Sequence, residues 1–242
     1  MRGCLVVHGL TGTPATVARV STALTKQGFH VVAPCLAGHS GTLETLSKTT
    51  WQEWYETVST AFHELRHQAT SIYYAGISLG ALLGLQLAID EGDGLHAMAL
   101  MSTPLKLSPW NRIAIPLVRY TPLRSLITSI PKKAEESVAD PEGQKLYLQH
   151  SLSRIPVHAA IEITKLQRHL KPKLHGITTP TLLVHAKKDL VAPYSNVRLL
   201  KRLIGAHIVE IATFTRSRHV ITLDLEKDLA ANAIVQFFKR FP

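Results

Sequence analysis

The chain has 242 residues, 45% of them hydrophobic and 18% charged, enough for one sizeable core and too little for two ordinary enzyme domains. The supply of Leu, Ile, Val and Ala excludes disorder, and the apolar stretch at 81–88 falls well short of the ~18 residues of a membrane span. Lys and Arg number 27 against 17 acidic residues, a net charge of +10, yet no aromatic platform or nucleic-acid motif accompanies them, so no nucleic-acid partner is expected.

In chain order, short β-rich runs alternate with longer helical ones. Strands are expected at Cys4–His8, His30–Cys35, Ser71–Ile77, Ala97–Met101, Thr181–His185 and His207–Ile211. They read as continuous apolar runs, the pattern of parallel strands covered on both faces. Pro14 sits just inside a helix that stops at Gly28. Trp51, Trp54, Tyr55, Val58, Phe62 and Leu65 recur at helical spacing. A last helix follows Asp224, with Asp224, Glu226 and Asp228 in or beside its first turn and Lys239 and Arg240 in its last, complementing the helix dipole. The opening MRGCLVVHGL has an apolar run too short for a signal peptide, which points to the cytoplasm. Cys4 and Cys35, at opposite ends of neighbouring strands, would lie on the order of 16 Å apart and read as two small buried residues.

The alternation stalls between about Leu105 and Leu174. Seven of the 13 prolines fall at its start or within it, at 104, 109, 116, 122, 131, 141 and 156, with Pro172 near its far end as an eighth, and residues 105–175 hold 12 Lys and Arg against 5 Asp and Glu. Short helices between prolines fit this stretch better than another strand–helix unit. The expected organisation is a core of 1–104 and 175–242 with a cap inserted at 105–174.

The sharpest chemical signal is Gly76-Ile77-Ser78-Leu79-Gly80, at the junction of a strand and a helix. In a G-x-S-x-G elbow the serine sits on a strained turn that only small neighbours permit, with its hydroxyl raised above the sheet. A serine hydroxyl needs a base, and the base needs a carboxylate to orient it. Downstream, TLLVHAKKDLVAP carries Asp189 and TRSRHVITLD carries His219, each in a loop after a strand. Asp224 and Asp228 compete for the acid role, but their place at a helix start gives them a capping explanation. Ser78, Asp189 and His219 are therefore the expected catalytic residues. The oxyanion would be held by the backbone N–H groups of Leu79 and of Leu10, the latter in the loop His8-Gly9-Leu10-Thr11-Gly12. His8 and His39 read as loop-shaping residues.

HGLTGTP, CLAGHSGT, GISLG, KKDLVAP and SRHVITLDLEKD follow one another as in the serine carboxylesterases of the α/β-hydrolase fold. The sequence resembles the small bacterial carboxylesterase and monoacylglycerol lipase group over roughly 1–104 and 175–242. The resemblance implies an α/β-hydrolase fold, a mostly parallel sheet flanked by helices with a small helical cap. It also implies a Ser78–Asp189–His219 triad with Leu10 and Leu79 at the oxyanion hole. Two departures stand out: the chain begins almost at the strand leading to HGLTG, so the first sheet edge is expected short or missing. Ser40 stands where the family has a second Gly after the Gly-His pair.

One rival motif is His63-Glu64-Leu65-Arg66-His67, which matches the H-E-x-x-H zinc helix. No third ligand follows at metzincin spacing, and both His fall off the buried stripe. In the cap, Trp110, Ile113, Ile115, Leu117, Val118, Tyr120, Leu126 and Ile127 mix with Arg112, Arg119 and Arg124. That is either an acyl-binding roof whose basic rim makes transient contact with a lipid interface, or a cap packed on its own core. The expected activity is hydrolysis of small-molecule esters with short-to-medium acyl chains, monoacylglycerols among them, with no cofactor and no metal. An acyl-thioesterase and a silent ligand-binding module of the same fold are the alternatives.

Overall fold

The computed structural model describes residues 1–108 and 127–241. The strands in chain order are β1 (Arg2–Val7), β2 (Phe29–Val32), β3 (Ser71–Ile77), β4 (Ala97–Met101), β5 (Ser129–Pro131), β6 (Arg154–Pro156), β7 (Thr181–Ala186) and β8 (Val209–Phe214). Six of them form one sheet in the order β2-β1-β3-β4-β7-β8, parallel at every described pairing. β5 and β6 pair antiparallel in a separate two-stranded ladder.

Alternation along the strands divides the core into two layers. Leu5, Val7 and Tyr74 face one side; Cys4, Val6, Tyr73 and Ala75 face the other. The first side is covered by α2 (Leu43–Lys48), α3 (Trp51–Arg66), α4 (Leu79–Glu91), α7 (Val157–Leu170) and α8 (Ser195–Leu203). The second is covered by α1 (Ala18–Thr25) and α9 (Lys227–Phe238). Every residue of α4 from Leu79 to Ala88 is buried, Gln86 being the one polar side chain among them, so this helix is covered on all sides. α3 starts at a capping box in which Thr50 and Glu53 satisfy each other's backbone N–H, and it buries Trp54, Val58, Phe62 and Leu65.

Between β4 and β7 the described chain forms the β5–β6 ladder, the short helices α5 (Ala134–Ser137) and α6 (Pro141–Gln149), and then α7. α7 packs on α3 and α4, and its Ala159, Ile163, Leu166 and Leu170 join their core. The stretch thus contains a strand pair as well as the short helices expected. Trp110, Ile113, Ile115, Leu117, Val118, Tyr120, Leu126, Arg112, Arg119 and Arg124 lie outside the described residues.

Three local expectations are corrected. β2 ends at Val32 rather than Cys35, because Pro34 has no N–H for the ladder, and Cys35 beyond it is exposed while Cys4 is buried. β8 runs from Val209 to Phe214 rather than from His207 to Ile211. As an edge strand it leaves Glu210, Ile211 and Thr213 exposed, so it lacks the continuous apolar run of a buried strand. Asp224, Glu226 and Asp228 do lie in or beside the first turn of α9, with Glu226 at its N-cap, but Lys239 and Arg240 are not in its last turn: the helix ends at Phe238, Lys239 is its C-cap and Arg240 lies beyond.

Candidate active site

The turn after β3 is dictated by its glycines. A methyl group at Gly76 would collide with the Gly80 carbonyl, and one at Gly80 with the carbonyl oxygens of Val7 and His8, the latter at 2.8 Å. Strand and helix can meet this closely only with hydrogen in both places. Between them Ser78 takes φ 54° and ψ −112°, a left-handed strain of roughly 1–3 kcal/mol for a residue with a side chain. Its N–H is held by the Met101 carbonyl at 2.9 Å, and α4 starts at the next residue.

The side chains expected to act together are brought together. Ser78 Oγ lies 2.9 Å from His219 Nε2, and His219 Nδ1 lies 2.8 Å from Asp189 Oδ2. A carboxylate only accepts, so Nδ1 carries the hydrogen and the Nε2 lone pair faces the serine hydroxyl. Asp189 Oδ1 accepts the N–H groups of Val191 and Ala192 at 2.9 and 2.7 Å. Burial alone would raise the Asp189 carboxyl, but the neighbouring His219 and hydrogen bonds from His185 and His219 hold it well below the usual carboxylate range. Asp189 and His219 are both buried, while Ser78 is half-exposed. This line can accept a proton from Ser78 and stabilise the resulting imidazolium.

The loop carrying His219 is anchored by groups that sequence reasoning did not assign. Glu226 accepts the N–H groups of Arg216 and Ser217 at 2.9 and 2.8 Å. Burial acts to raise its carboxyl, and the bonds from Ser217, Arg216 and Thr215 bring it below the ordinary value. Asp224 Oδ2 accepts from Arg218 at 2.6 Å, and its Oδ1 from Ala139 and Asp140 at 2.9 Å each. Ser102, at φ 48°, donates to the His219 carbonyl at 2.7 Å. Asp228 instead pairs with Arg19 at the surface.

In the loop after β1, the carbonyls are committed to hydrogen bonds within the chain. The Gly9 carbonyl accepts from Gly12 N–H at 3.1 Å and His8 Nδ1 at 2.9 Å, and that of Leu10 from Thr11 Oγ1 at 2.6 Å. The Thr11 carbonyl accepts from Leu152 N–H at 2.9 Å, and Thr11 itself takes φ 64°. His8 also accepts the Leu36 N–H at Nε2; burial, then the neighbouring His39, push it down to about 3, so it stays neutral and ties this loop to the chain after β2. Leu10 lines the cavity at Ser78, and Leu79 supplies the first N–H of α4 beside it.

Ser78 and His219 open into a cavity of about 400 Å³ walled by Leu107, Ile130, Ile155 and Ile163, with Thr11, Lys132 and Tyr147 among its polar groups. A smaller recess of about 30 Å³ continues from Ser78 past Gly9, Gly12 and Thr16. Elsewhere, His63 and His67 lie on the outer side of α3. His63 Nε2 is 3.4 Å from Glu91, and Leu65 is in the core. Among the described residues, no group of three or more His, Cys, Asp or Glu is placed to hold a metal ion.

A parallel sheet whose third strand turns through Ser78 into a buried helix, facing a His–Asp pair from the last two strand ends, defines an α/β-hydrolase. A family model described as Hydrolase_4, serine aminopeptidase S33, matches residues 2–226, and the chain belongs to that family. It is 26% identical over 238 residues to a thermostable monoacylglycerol lipase of Bacillus sp. strain H-257, covering 98% of this chain and 90% of that protein. To a carboxylesterase of Bacillus subtilis strain 168 it is 22% identical, covering 99% and 93%. Among solved structures, the fold matches a monoacylglycerol lipase of Paleococcus ferrophilus at a TM-score of 0.82 and 21% identity, over 99% of this chain and 95% of that one. The chain falls within the group of carboxylic ester hydrolases that holds carboxylesterases and monoacylglycerol lipases.

Proposed function

We propose that the protein hydrolyses carboxylic esters of short-to-medium acyl chains, monoacylglycerols among them, through an acyl-enzyme on Ser78. The observation that carries this reading is the unbroken Asp189–His219–Ser78 hydrogen-bond line ending in an apolar cavity. His219 Nε2 takes the Ser78 proton as Oγ attacks the ester carbonyl. The N–H groups of Leu10 and Leu79 receive the developing oxyanion, and Asp189 fixes the imidazole and stabilises its cation. His219 returns the proton to the departing alcohol. Water then attacks the acyl-enzyme by the same route, and neither cofactor nor metal enters.

A cavity of about 400 Å³ sits near the lower end of the roughly 300–1,000 Å³ of small-molecule sites, which suits a short-to-medium chain. In the cap reading of 105–174, the described residues Ile130, Lys132, Tyr147 and Ile155 help to wall the cavity at Ser78, while α7 packs with the core helices. Ile127, Leu146 and Leu148 are exposed in this stretch, as are the side chains of Lys133 and Lys145, a mix of apolar and basic groups suited to transient contact with a lipid interface. No helix of the described chain is long and apolar enough to cross a membrane. With both cysteines free, we place the activity in the cytoplasm.

The test is hydrolysis of p-nitrophenyl esters from acetate to palmitate by wild type and Ser78→Ala, with fluorophosphonate labelling of Ser78. A chain-length optimum that vanishes in the variant supports the proposal. Equal activity in both proteins overturns the serine mechanism, and a faster matched thioester moves the substrate class.

A further inference from the structure

Lys132 stands in the cavity at Ser78, and among the described residues no carboxylate neutralises it. It follows β5 and lines the same space as Leu10, Ser78 and His219. Its ammonium donates to Thr11 Oγ1 at 2.8 Å and Ser151 Oγ at 2.7 Å, and lies 3.9 Å from the centroid of the Tyr147 ring. Both hydroxyls have their own hydrogens committed elsewhere. Thr11 donates to the Leu10 carbonyl at 2.6 Å, and Ser151 donates to the Tyr147 carbonyl. They can only accept from Lys132, and the negative face of the ring takes the third N–H.

All three partners are neutral. Neighbouring lysines are matched differently: Lys133 pairs with Glu136 at 2.9 Å, Lys145 with Glu142 at 2.7 Å and Lys165 with Glu162 at 2.5 Å. Glu136 is the one carboxylate among the residues that line the described cavity, and Lys133 already holds it. Residues 109–126 contain three Arg and no Asp or Glu, so that segment brings no counter-ion. An unpaired charge withdrawn from water is costly unless something enters to pair with it. Burial pushes the Lys132 ammonium down to about 7. A methionine would fill the same space at no such cost, whereas a cation at one end of an otherwise apolar cavity is matched to one kind of guest.

We propose that Lys132 is an anion-recognition residue, and that the preferred substrates are esters whose buried chain ends in a carboxylate, as in half-esters of dicarboxylic acids. The guest carboxylate exchanges the weak ring contact for a charge-assisted hydrogen bond, while the two hydroxyl contacts persist. The apolar wall holds the methylene chain between the reacting ester and this group. The inference rests on ester hydrolysis at Ser78.

Lys132 also touches Thr11 beside Leu10, so its removal will disturb turnover of every ester to some degree; the ratio of charged to neutral substrate carries the test. The p-nitrophenyl half-esters of adipic and suberic acid are compared with p-nitrophenyl hexanoate and octanoate, in wild type, Lys132→Met and Lys132→Arg. Wild type and Lys132→Arg prefer the half-esters through KM. Lys132→Met loses that preference by at least about tenfold, read as the ratio of half-ester to neutral-ester kcat/KM. The same ratio in wild type and Lys132→Met overturns the proposal. Calorimetric binding of octanoate to Ser78→Ala, with and without Lys132→Met, needs no turnover. Binding weakened at least about tenfold by the second change upholds the proposal even if no ester is cleaved, in which case the hydrolase reading alone fails. Equal affinity in the two proteins overturns it.

Discussion

His185 Nε2 lies 3.3 Å from Asp189 Oδ2, the same oxygen that faces His219 Nδ1 at 2.8 Å. Nε2 is also 2.8 Å from the Ala192 carbonyl, which can only accept, so that nitrogen carries a hydrogen and shares it with the carboxylate. His185 therefore acts on His219 through Asp189, as a positioning residue. His185→Phe should lower kcat by roughly 5–30-fold, the worth of about 1–2 kcal/mol of hydrogen bonding, with KM little changed. Losing a donor that favours the ionised carboxyl makes Asp189 easier to protonate, so any activity lost to protonation of Asp189 should be lost at a higher pH in the variant than in wild type. Asp189→Asn should cost far more, ~10⁴-fold in kcat, because it turns the imidazole to the wrong tautomer. A pH–rate series on the three proteins checks both; a His185→Phe profile that overlays wild type removes the positioning role.

Gly80 has no room for a side chain on a wall made of backbone. A methyl there meets the carbonyl oxygens of Val7 and His8, and β1 cannot retreat without breaking its pairing with β3. Gly80→Ala should destabilise the fold by about 2–4 kcal/mol, and the surviving folded protein should be inactive because Ser78 is displaced. Urea unfolding gives the first number. Gly176→Ala is the control, since nothing lies within 4 Å of a methyl at that position.

Asp224 joins the His219 loop to the base of the roof, accepting from Arg218 on one oxygen and from Ala139 and Asp140 on the other. Asp224→Asn presents an NH2 group to backbone donors on one side or the other. The expected loss is about 2–4 kcal/mol of stability, that of a buried carboxylate network left half-satisfied. A fall in kcat without a rise in KM should accompany it, since the group lies behind His219 rather than in the cavity. Thermal unfolding and steady-state kinetics on one preparation test the two together.

These anchors mark where legibility in the sequence ended. The sheet was readable because parallel strands buried on both faces are continuous apolar runs, and the elbow because Gly76 and Gly80 are forced by backbone contact. Ser78, Asp189 and His219 could be named from the order in which loops follow strands. β8 lies later than the apolar pattern predicts because an edge strand needs no apolar run, and β2 stops short of the predicted end because the pattern continues through Pro34 while the ladder does not. Asp224 and Glu226 do stand beside the start of α9, but spacing does not reveal that their carboxylates also fold back over the preceding loop. Lys132 stood in a run of two lysines, and only the fold reveals that its neighbour Lys133 meets a carboxylate while it does not.

That difference has a thermodynamic consequence. Lys132 binds its proton less tightly in the folded protein, where burial holds it to about 7, than in the unfolded chain, where its ordinary value of 10.5 applies. Above about 7 the unfolded state holds the extra proton, and stability rises with pH wherever that is so. The Lys132 contribution is therefore least favourable below that value, recovers as pH climbs, and is fully recovered above 10.5. Lys132→Met removes the term. In acid and neutral solution the variant should be the more stable protein, and its advantage in Tm should shrink steadily as pH rises through the alkaline range. Taking the difference between the two proteins at each pH cancels the other titrating groups. A constant difference across that range would show that the ammonium is as well solvated in the fold as in the unfolded chain.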